Sequence, residues 1–392
     1  MPSSPHPSSP NMTIAHVITR FERAGSEENT TFTINHQAKT GHSCILICGS
    51  GPDKDMIAKL DERIEIIEVP DLVHHLSPLK DIACLRTLRR CFRNHRVTLV
   101  HTHQSKAGIL GRLAARQAKV RHVLHTTHIL AFLNVRLIKR FIYLTAERIA
   151  GRATDAFIHV SPAMEKACRQ AGIGKTKIHR VIYSGMDLTR FQDAPLPNDF
   201  SKLRASLSAS QDRQIVLYLS AFEPRKRQAD FVRQFRDVVI RVPNVLLLLA
   251  GTGPEEQHVR GLIDELGLSD HVKMLGYRGD PEKLIALSDI CVFASEREGL
   301  PRSVIQYVAG GKPIITTGLP GIEMLVQNRM NGYVVAVDDL HAMAPALIEL
   351  LNDETLRLDM ARRSAEMDLS QWEAETMVTE IDYLIEELVS SN

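Results

Sequence analysis

Short runs of apolar residues recur along the chain, and between them lie longer stretches with apolar positions at helical spacing. Thr13–Thr19 (TIAHVIT), Cys44–Cys48, Val97–His101, His122–Thr126 and Ala156–Val160 read as buried strands. Glu27–Lys39 and Ser105–Gln117 read as helices. A strand that is apolar throughout is buried on both faces, and strands of this kind alternating with helices form a parallel sheet. The pattern restarts after a polar stretch, Asp193–Ser201, that carries two prolines. Ile215–Leu219, Val245–Ala250, Val272–Leu275, Ile290–Ala294, Lys312–Thr316 and Tyr333–Val335 form the second set of strands. The expected fold class is α/β, in two halves of similar size. The first spans residues 12–195 and the second 196–370.

Gln371–Leu388 is helical and acidic, with Met377, Ile381, Leu384 and Leu388 at helical spacing. Either a packed surface helix or a helix crossing back to the first domain fits that pattern.

Length changes the picture little: 392 residues suit two domains. Charge changes it more. Lys plus Arg is 48 against 46 acidic residues. A chain that lives on nucleic acid carries a larger basic excess, so no nucleic-acid partner is expected. No apolar run reaches the length of a membrane span. The six cysteines are scattered, with no CxxC pair, which fits buried thiols in a reducing compartment. Residues 1–11, MPSSPHPSSPN, lack the apolar segment of a signal peptide and read as a disordered tail. The expected location is cytoplasmic.

Locally the charge is uneven. His101–Thr154 holds ten Lys or Arg and one acid, Glu147. Within it, Leu133, Leu137, Ile138, Phe141, Ile142 and Leu144 interleave with Arg136, Lys139, Arg140 and Arg148. Such a helix either packs on a core with a solvated basic side or lies on an anionic membrane surface.

The candidate chemistry centres on Ser295–Pro313, SEREGLPRSVIQYVAGGKP. A buried strand runs into a polar turn, and Gly299 and Pro301 are expected to open a helix. The amides of Arg302, Ser303 and Val304 would then face outward at the carboxyl edge of a parallel sheet, where the helix dipole favours an anion. Glu298 sits at the mouth of that turn, and Gln306 lies two helical turns further on the same face. Two histidine pairs, His101 with His103 and His125 with His128, end neighbouring strands of the first half.

These segments resemble the retaining nucleotide-sugar glycosyltransferases of family 4, most closely the members that build capsular and exopolysaccharides. The family's paired glutamates correspond to Glu298 and to Gln306, where glutamine stands for the second glutamate. Ala309-Gly310-Gly311-Lys312-Pro313-Ile314-Ile315 follows, as the family's AxGxPVV-like segment does. Leu249-Ala250-Gly251-Thr252-Gly253-Pro254, Tyr183-Ser184-Gly185-Met186-Asp187 and His101–Ala115 (HTHQSKAGILGRLAA) are further matches, in the family's order.

The resemblance implies the GT-B fold, two doubly wound parallel-sheet domains. It implies transfer of a sugar from a nucleoside diphosphate, UDP being the expected one, to a saccharide or lipid-linked acceptor with retention. It implies no required cofactor and no catalytic metal. Carried over by position, Glu298 would hold the donor sugar and Gln306 the ribose. Lys226 would clamp the diphosphate, and His128 would face the sugar. The family's clamp arginine falls on Ser220 or Ala221, so Arg225 or Arg227 is left to replace it. Gly253, Tyr277, Arg278, Arg302, Ser303 and Val304 would complete the donor site. Gly25 and His103 would lie toward acceptor and phosphate, in a loop where Ala24 replaces a glycine. A lipid-linked acceptor would bring the first domain to the inner face of an anionic membrane. The missing arginine and Gln306 also leave open a non-catalytic scaffold of the same fold, and a sugar-nucleotide epimerase of that fold is a further alternative.

Overall fold

Continuous apolar strands do assemble into two parallel sheets. The computed structural model describes residues 11–130, 132, 137–193, 200–207, 210, 212–298 and 301–390. Residues 1–10 of the expected tail, 133–136 of the basic stretch, 194–199 of the polar stretch and Gly299 lie outside the described residues. The chain divides into two units: residues up to Met186 together with the segment from Ser370 onward, and Asp187–Leu369.

In the first unit the strands are β1 (Thr13–Ile18), β2 (Ser43–Cys48), β3 (Glu65–Glu68), β4 (Leu99–His103), β5 (His122–Thr127), β6 (Ala156–His159) and β7 (Ile178–Val181). Their order is β3-β2-β1-β4-β5-β6-β7, parallel throughout. Its helices are α1 (Gly25–Lys39), α2 (Lys54–Ile57), α3 (Pro78–Asn94), α4 (Ser105–Ala118), α5 (Leu137–Arg152) and α6 (Pro162–Gln170). The second unit contains α7 (Thr189–Gln192), α8 (Phe200–Ser206), α9 (Gln228–Arg241), α10 (Glu256–Glu265), α11 (Pro281–Leu287), α12 (Arg302–Ala309), α13 (Met343–Asn352) and α14 (Glu354–Ala365). Its strands are β8 (Gln214–Leu219), β9 (Val245–Ala250), β10 (Val272–Gly276), β11 (Ile290–Phe293), β12 (Ile314–Thr317) and β13 (Gly332–Val335). Their order, β10-β9-β8-β11-β12-β13, repeats the winding of the first sheet. The last helix, α15 (Ala374–Ser390), belongs to the first unit.

Successive strand residues point to opposite faces, so β1 splits its side chains between two cores. Ala15 and Val17 join Val100, Val123 and the apolar sides of α3 and α4 on one face. Ile14, Leu99, Leu124 and Ile158 face the other way, onto Met377, Ile381, Leu384 and Leu388 of α15. The periodic positions of the acidic C-terminal helix are thus core positions, and its acids lie outside them. Gly185 is where the chain meets the start of α15. A Cβ there would come 2.7 Å from the Ala374 Cα, closer than carbon atoms approach. Beside it, the Met186 amide donates to the Trp372 carbonyl at 2.9 Å.

Two strands are absent from the apolar pattern. β3 and β7 are the edges of the first sheet, and each has four residues, none of them fully buried. At β4 the pattern ends the strand at His101, whereas it runs to His103, with Thr102 and His103 buried.

Ile381 is 3% exposed in the interface between α15 and the sheet. Ile381→Ala is expected to destabilise the first unit by about 3 kcal/mol through lost burial and a residual cavity. Urea denaturation of the full chain, followed by Trp372 fluorescence, measures it. An unchanged midpoint would show that α15 contributes nothing to this core.

Candidate active site

In the second unit the site grows from the ends of β8 and β11, neighbours in the sheet. After β8 the chain turns through a short 3-10 segment, Pro224–Lys226. The hydroxyl of Tyr218, buried in β8, donates to the Lys226 carbonyl and accepts from the Ala294 amide at 3.0 Å. One phenol therefore fixes the basic turn against the end of β11. The Arg225 carbonyl accepts from the Glu296 amide at 2.8 Å, which closes the second turn onto the first.

These turns present their charges to one atom. Glu298 Oε1 accepts from Ser295 Oγ at 2.6 Å and from Arg225 Nη1 at 2.7 Å, and Lys226 Nζ lies 2.6 Å away. No described group bonds Glu298 Oε2. Arg225 is also held by Glu223, at 2.6 Å. The Lys226 ammonium stands over the Phe293 ring, 4.9 Å from its centroid. Burial pushes the Lys226 pKa below its usual value, and the Glu298 carboxylate opposes that shift. The carboxylate is thus anchored through one oxygen and can offer the other to hydroxyl donors, beside two cations suited to an anion.

The first unit places histidines at its own strand ends. His16 of β1 is paired in register with His101 of β4, and His103 lies two residues on, on the same face. His16 Nδ1 and His103 Nε2 are 3.0 Å apart, and His103 Nδ1 and His128 Nε2 are 3.4 Å apart. His16 Nε2 meets Gln37 Oε1 of α1 at 2.8 Å. His16, His101 and His103 are buried, whereas His128 is half-buried. Burial pushes His16 down to about 4 and lowers His101 and His103 well below the usual histidine value, so all three are neutral at pH 7. A small cavity beside them is lined by Asn29, Thr33, His103, Thr126 and His128 on its polar side.

Two sequence families divide the chain between them. Residues 25–190 match the profile described as Glycosyltransferase Family 4, and residues 199–367 match that of Glycosyl transferases group 1. The chain belongs to the group 1, family 4 glycosyltransferases. It is 28% identical over 319 residues to the UDP-Gal:alpha-D-GlcNAc-diphosphoundecaprenol alpha-1,3-galactosyltransferase of Escherichia coli, covering 80% of this chain and 81% of the relative. It is 28% identical over 305 residues to the putative glycosyltransferase EpsD of Bacillus subtilis (strain 168), covering 76% and 79%. The fold matches that of Anabaena Alr3699/HepE, solved with UDP and glucose. The TM-score is 0.80 at 20% identity, over 96% of this chain and 100% of that one.

The glycosyltransferase brings together Lys226, Glu298 and Arg225 among the residues expected at the donor. Arg227 is not with them: it is turned to Asp230, at 2.9 Å, and to the Val337 carbonyl, at 2.5 Å. Of the two arginines left to replace the missing one, Arg225 lies beside Lys226 and Glu298 and Arg227 does not. The helix start differs from expectation. Pro301 is the cap, and α12 begins at Arg302. The Val304 amide donates to the Pro301 carbonyl at 2.9 Å, so it is not offered to a ligand. The Ser303 hydroxyl donates to the Leu219 carbonyl at 2.7 Å, and Leu219 donates to the Tyr307 hydroxyl at 2.7 Å. Both bonds tie α12 to the end of β8.

Gly253 is also used internally. Its amide donates to Glu256 at 2.7 Å, and a Cβ there would lie 2.4 Å from the Phe222 carbonyl. Arg278 is held by both oxygens of Asp280 at 2.8 Å, and Tyr277 is exposed at the carboxyl end of β10. Gln306 is half-buried on α12 and bonds no described side chain. Gly25 is the first residue of α1, preceded by an extended Ala24, so it opens a helix in place of the expected glycine loop. Tyr218, Ser295, His16 and Gln37 were not visible as site residues in the sequence. Each lies in or beside a strand or helix whose pattern reads as core.

Glu298→Gln removes the charge that keeps the buried Lys226 protonated. The Lys226 titration is therefore expected to move to lower pH, read by nuclear magnetic resonance of isotope-labelled lysine. An unmoved titration would mean that the two groups are not coupled.

Proposed function

We propose that this glycosyltransferase moves a sugar from UDP to a saccharide or lipid-linked saccharide, with retention, in the assembly of a surface polysaccharide. The observation that carries the reading is Glu298, held through Oε1 by three donors with Oε2 open, beside Lys226 and Arg225. A carboxylate set in this way accepts from sugar hydroxyls, and the two cations suit a diphosphate. The named activity of the Escherichia coli relative and the UDP and glucose bound by the Anabaena protein support the same reading.

In the proposed reaction the bond between the anomeric carbon and the diphosphate oxygen breaks, and its electron pair leaves with the phosphate. An acceptor hydroxyl forms the new bond from the same face, and its proton passes to the leaving phosphate oxygen. Lys226 and Arg225 offset the charge that develops there, in a turn already fixed by Tyr218. Arg225 fills the role left empty at Ser220 and Ala221, which favours an active enzyme over a scaffold. Lys226→Ala is expected to lower turnover by at least about 100-fold, roughly 2.7 kcal/mol of barrier. UDP release from a panel of UDP-sugars measures it, and a rate within about threefold of wild type would remove Lys226 from the clamp.

We also propose that α5 holds the enzyme against an anionic membrane. No helix among the described residues is long and apolar enough to cross one. Leu137, Ile138 and Phe141 are 81%, 78% and 73% exposed, and Lys139, Arg140, Arg148 and Arg152 are exposed with them. The one acid of the helix, Glu147, is buried in an ion pair with Arg112 at 2.6 Å. The solvated charge of α5 is therefore entirely basic, beside apolar side chains that nothing described covers. Each Lys or Arg near an anionic leaflet contributes about 1 kcal/mol, weakened by salt. Co-sedimentation with anionic vesicles at low salt is expected, with recovery falling as salt rises. Equal recovery on neutral and anionic vesicles would defeat the proposal.

A further inference from the structure

β1 and β4 are neighbours at the reversal of the first sheet, and one side chain clasps the turns that follow them. Gln104 follows β4 and caps α4. Its Oε1 accepts from the backbone amides of Thr19 and Arg20, at 3.2 and 3.3 Å, in the turn after β1. Its Nε2 donates to Glu27 Oε1 of α1 at 2.9 Å, to Ser26 Oγ at 3.3 Å and to the Arg20 carbonyl at 3.4 Å. A backbone N–H can only donate, and a carboxylate or carbonyl oxygen accepts, so both ends of this amide are assigned by their partners. Thr19 closes the clasp from the other side, its Oγ1 accepting from the Ala107 amide of α4 at 3.0 Å. Glu27 is 3% exposed, and no cation pairs with it among the described residues. Ser26 Oγ donates to its second oxygen at 2.5 Å.

The backbone of Gln104 is strained. Its φ of 58° and ψ of 169° lie in a region that glycine occupies and side chains avoid. Lys119 and Arg227 also have positive φ, but with ψ of 39° and 32° they sit in ordinary left-handed turns. Glycine would take the Gln104 conformation freely. A side chain is kept there instead, and it joins the end of β1, the start of α1 and the start of α4. We propose that Gln104 is a positioning residue of the transfer reaction, fixing the turn of residues 19–26 at the carboxyl edge of the first sheet where that turn meets the saccharide acceptor. The meeting with the acceptor rests on the function proposed above, whereas the clasp rests on the contacts alone. In open parallel sheets, ligands lie at the carboxyl edge where strand order reverses. Arg20, Glu22, Arg23 and Ala24 of the turn are exposed, so Gln104 and Glu27 hold from within a segment whose outer side faces solvent.

Gln104→Gly removes the clasp and relieves the backbone. In the full chain, the amides of Thr19 and Arg20 are expected to exchange with solvent at least about tenfold faster, read by nuclear magnetic resonance. With UDP-sugars as donors and octyl glucoside, octyl galactoside and octyl N-acetylglucosaminide as acceptor probes, the acceptor KM is expected to rise about tenfold, with the donor KM within about twofold of wild type. Unchanged exchange at Thr19 and Arg20 would overturn the clasp. Faster exchange with an unchanged acceptor KM would overturn the positioning role. If the wild-type chain turns over none of the glycosides, the function proposed above is what fails, and exchange alone judges the clasp. Gln104→Glu puts a second carboxyl against Glu27. Burial already raises the Glu27 pKa, and Glu22, the other charge acting on it, has the same sign. Two carboxyls in contact keep a proton between them to higher pH than either alone, and the protonated one donates as the amide does. The acceptor KM of this variant is therefore expected to fall as the pH is lowered from about 8 to about 6, while that of the wild type changes by less than about twofold. A variant whose acceptor KM does not respond to pH would overturn the contact between residue 104 and Glu27 as the seat of the effect.

Discussion

Where the strand order of a parallel sheet reverses, successive helices leave toward opposite faces, and the carboxyl edge between them stays uncovered. Each unit of this protein has one such reversal, between β1 and β4 and between β8 and β11. Both candidate clusters lie across those pairs. The Lys226–Glu298 group joins the turn after β8 to the turn after β11, and the histidine row joins β1 to β4 before reaching His128 after β5. Neither cluster is contributed by a single segment, so neither exists until the strands are in register. Winding order is therefore the constraint on which the chemistry depends.

Within the second unit the edge is held by neutral groups and used by charged ones. Tyr218 fixes the turn after β8 by two hydrogen bonds, while Ser303 and Tyr307 fix α12 to the last residue of β8. Lys226 is then buried against a half-buried Glu298. A buried charge is tolerated where its partner is close and hydrogen-bonded, and is costly once the partner is lost. With the donors converging on Oε1, the carboxylate cannot turn to follow a ligand. Oε2 is left without a described partner, so under the proposed function the carboxylate is already oriented before a donor arrives.

Most of the fold was legible because buried parallel strands are apolar on both faces. All six strands of the second sheet coincide with apolar runs in the sequence. β3 and β7 escaped because edge strands need only one buried neighbour and carry residues such as Glu65, Glu68 and Arg180. The candidate site residues were named from the motifs of the family resemblance and from a polar turn that follows a buried strand. Glu298 and Lys226 were named in that way, but Tyr218 was not, since a tyrosine in a strand reads as packing until its hydroxyl partners are known. The same limit cut β4 short. Thr102 and His103 are polar, and the apolar pattern stops before them. They are buried because neighbouring strands supply their hydrogen bonds, and that information lies outside the segment. The end of a strand, where ligands bind, is thus where a pattern read along one segment fails first.

The distribution of charge follows the same logic. A formal net charge of +2 suggests no preference for an anionic surface. Folding changes that by sorting charges rather than by adding any. Arg112, fully buried on α4, draws Glu147 inward. The acids of α15 lie at positions outside its core face. What remains on the solvated side of α5 is one sign of charge, interleaved with apolar side chains. Arg112 cannot be left buried alone without a large desolvation cost, so Glu147 is held in place by the interior and not by the surface. The basic character of the helix is therefore a consequence of how the core is paired, and no composition of the whole chain would reveal it.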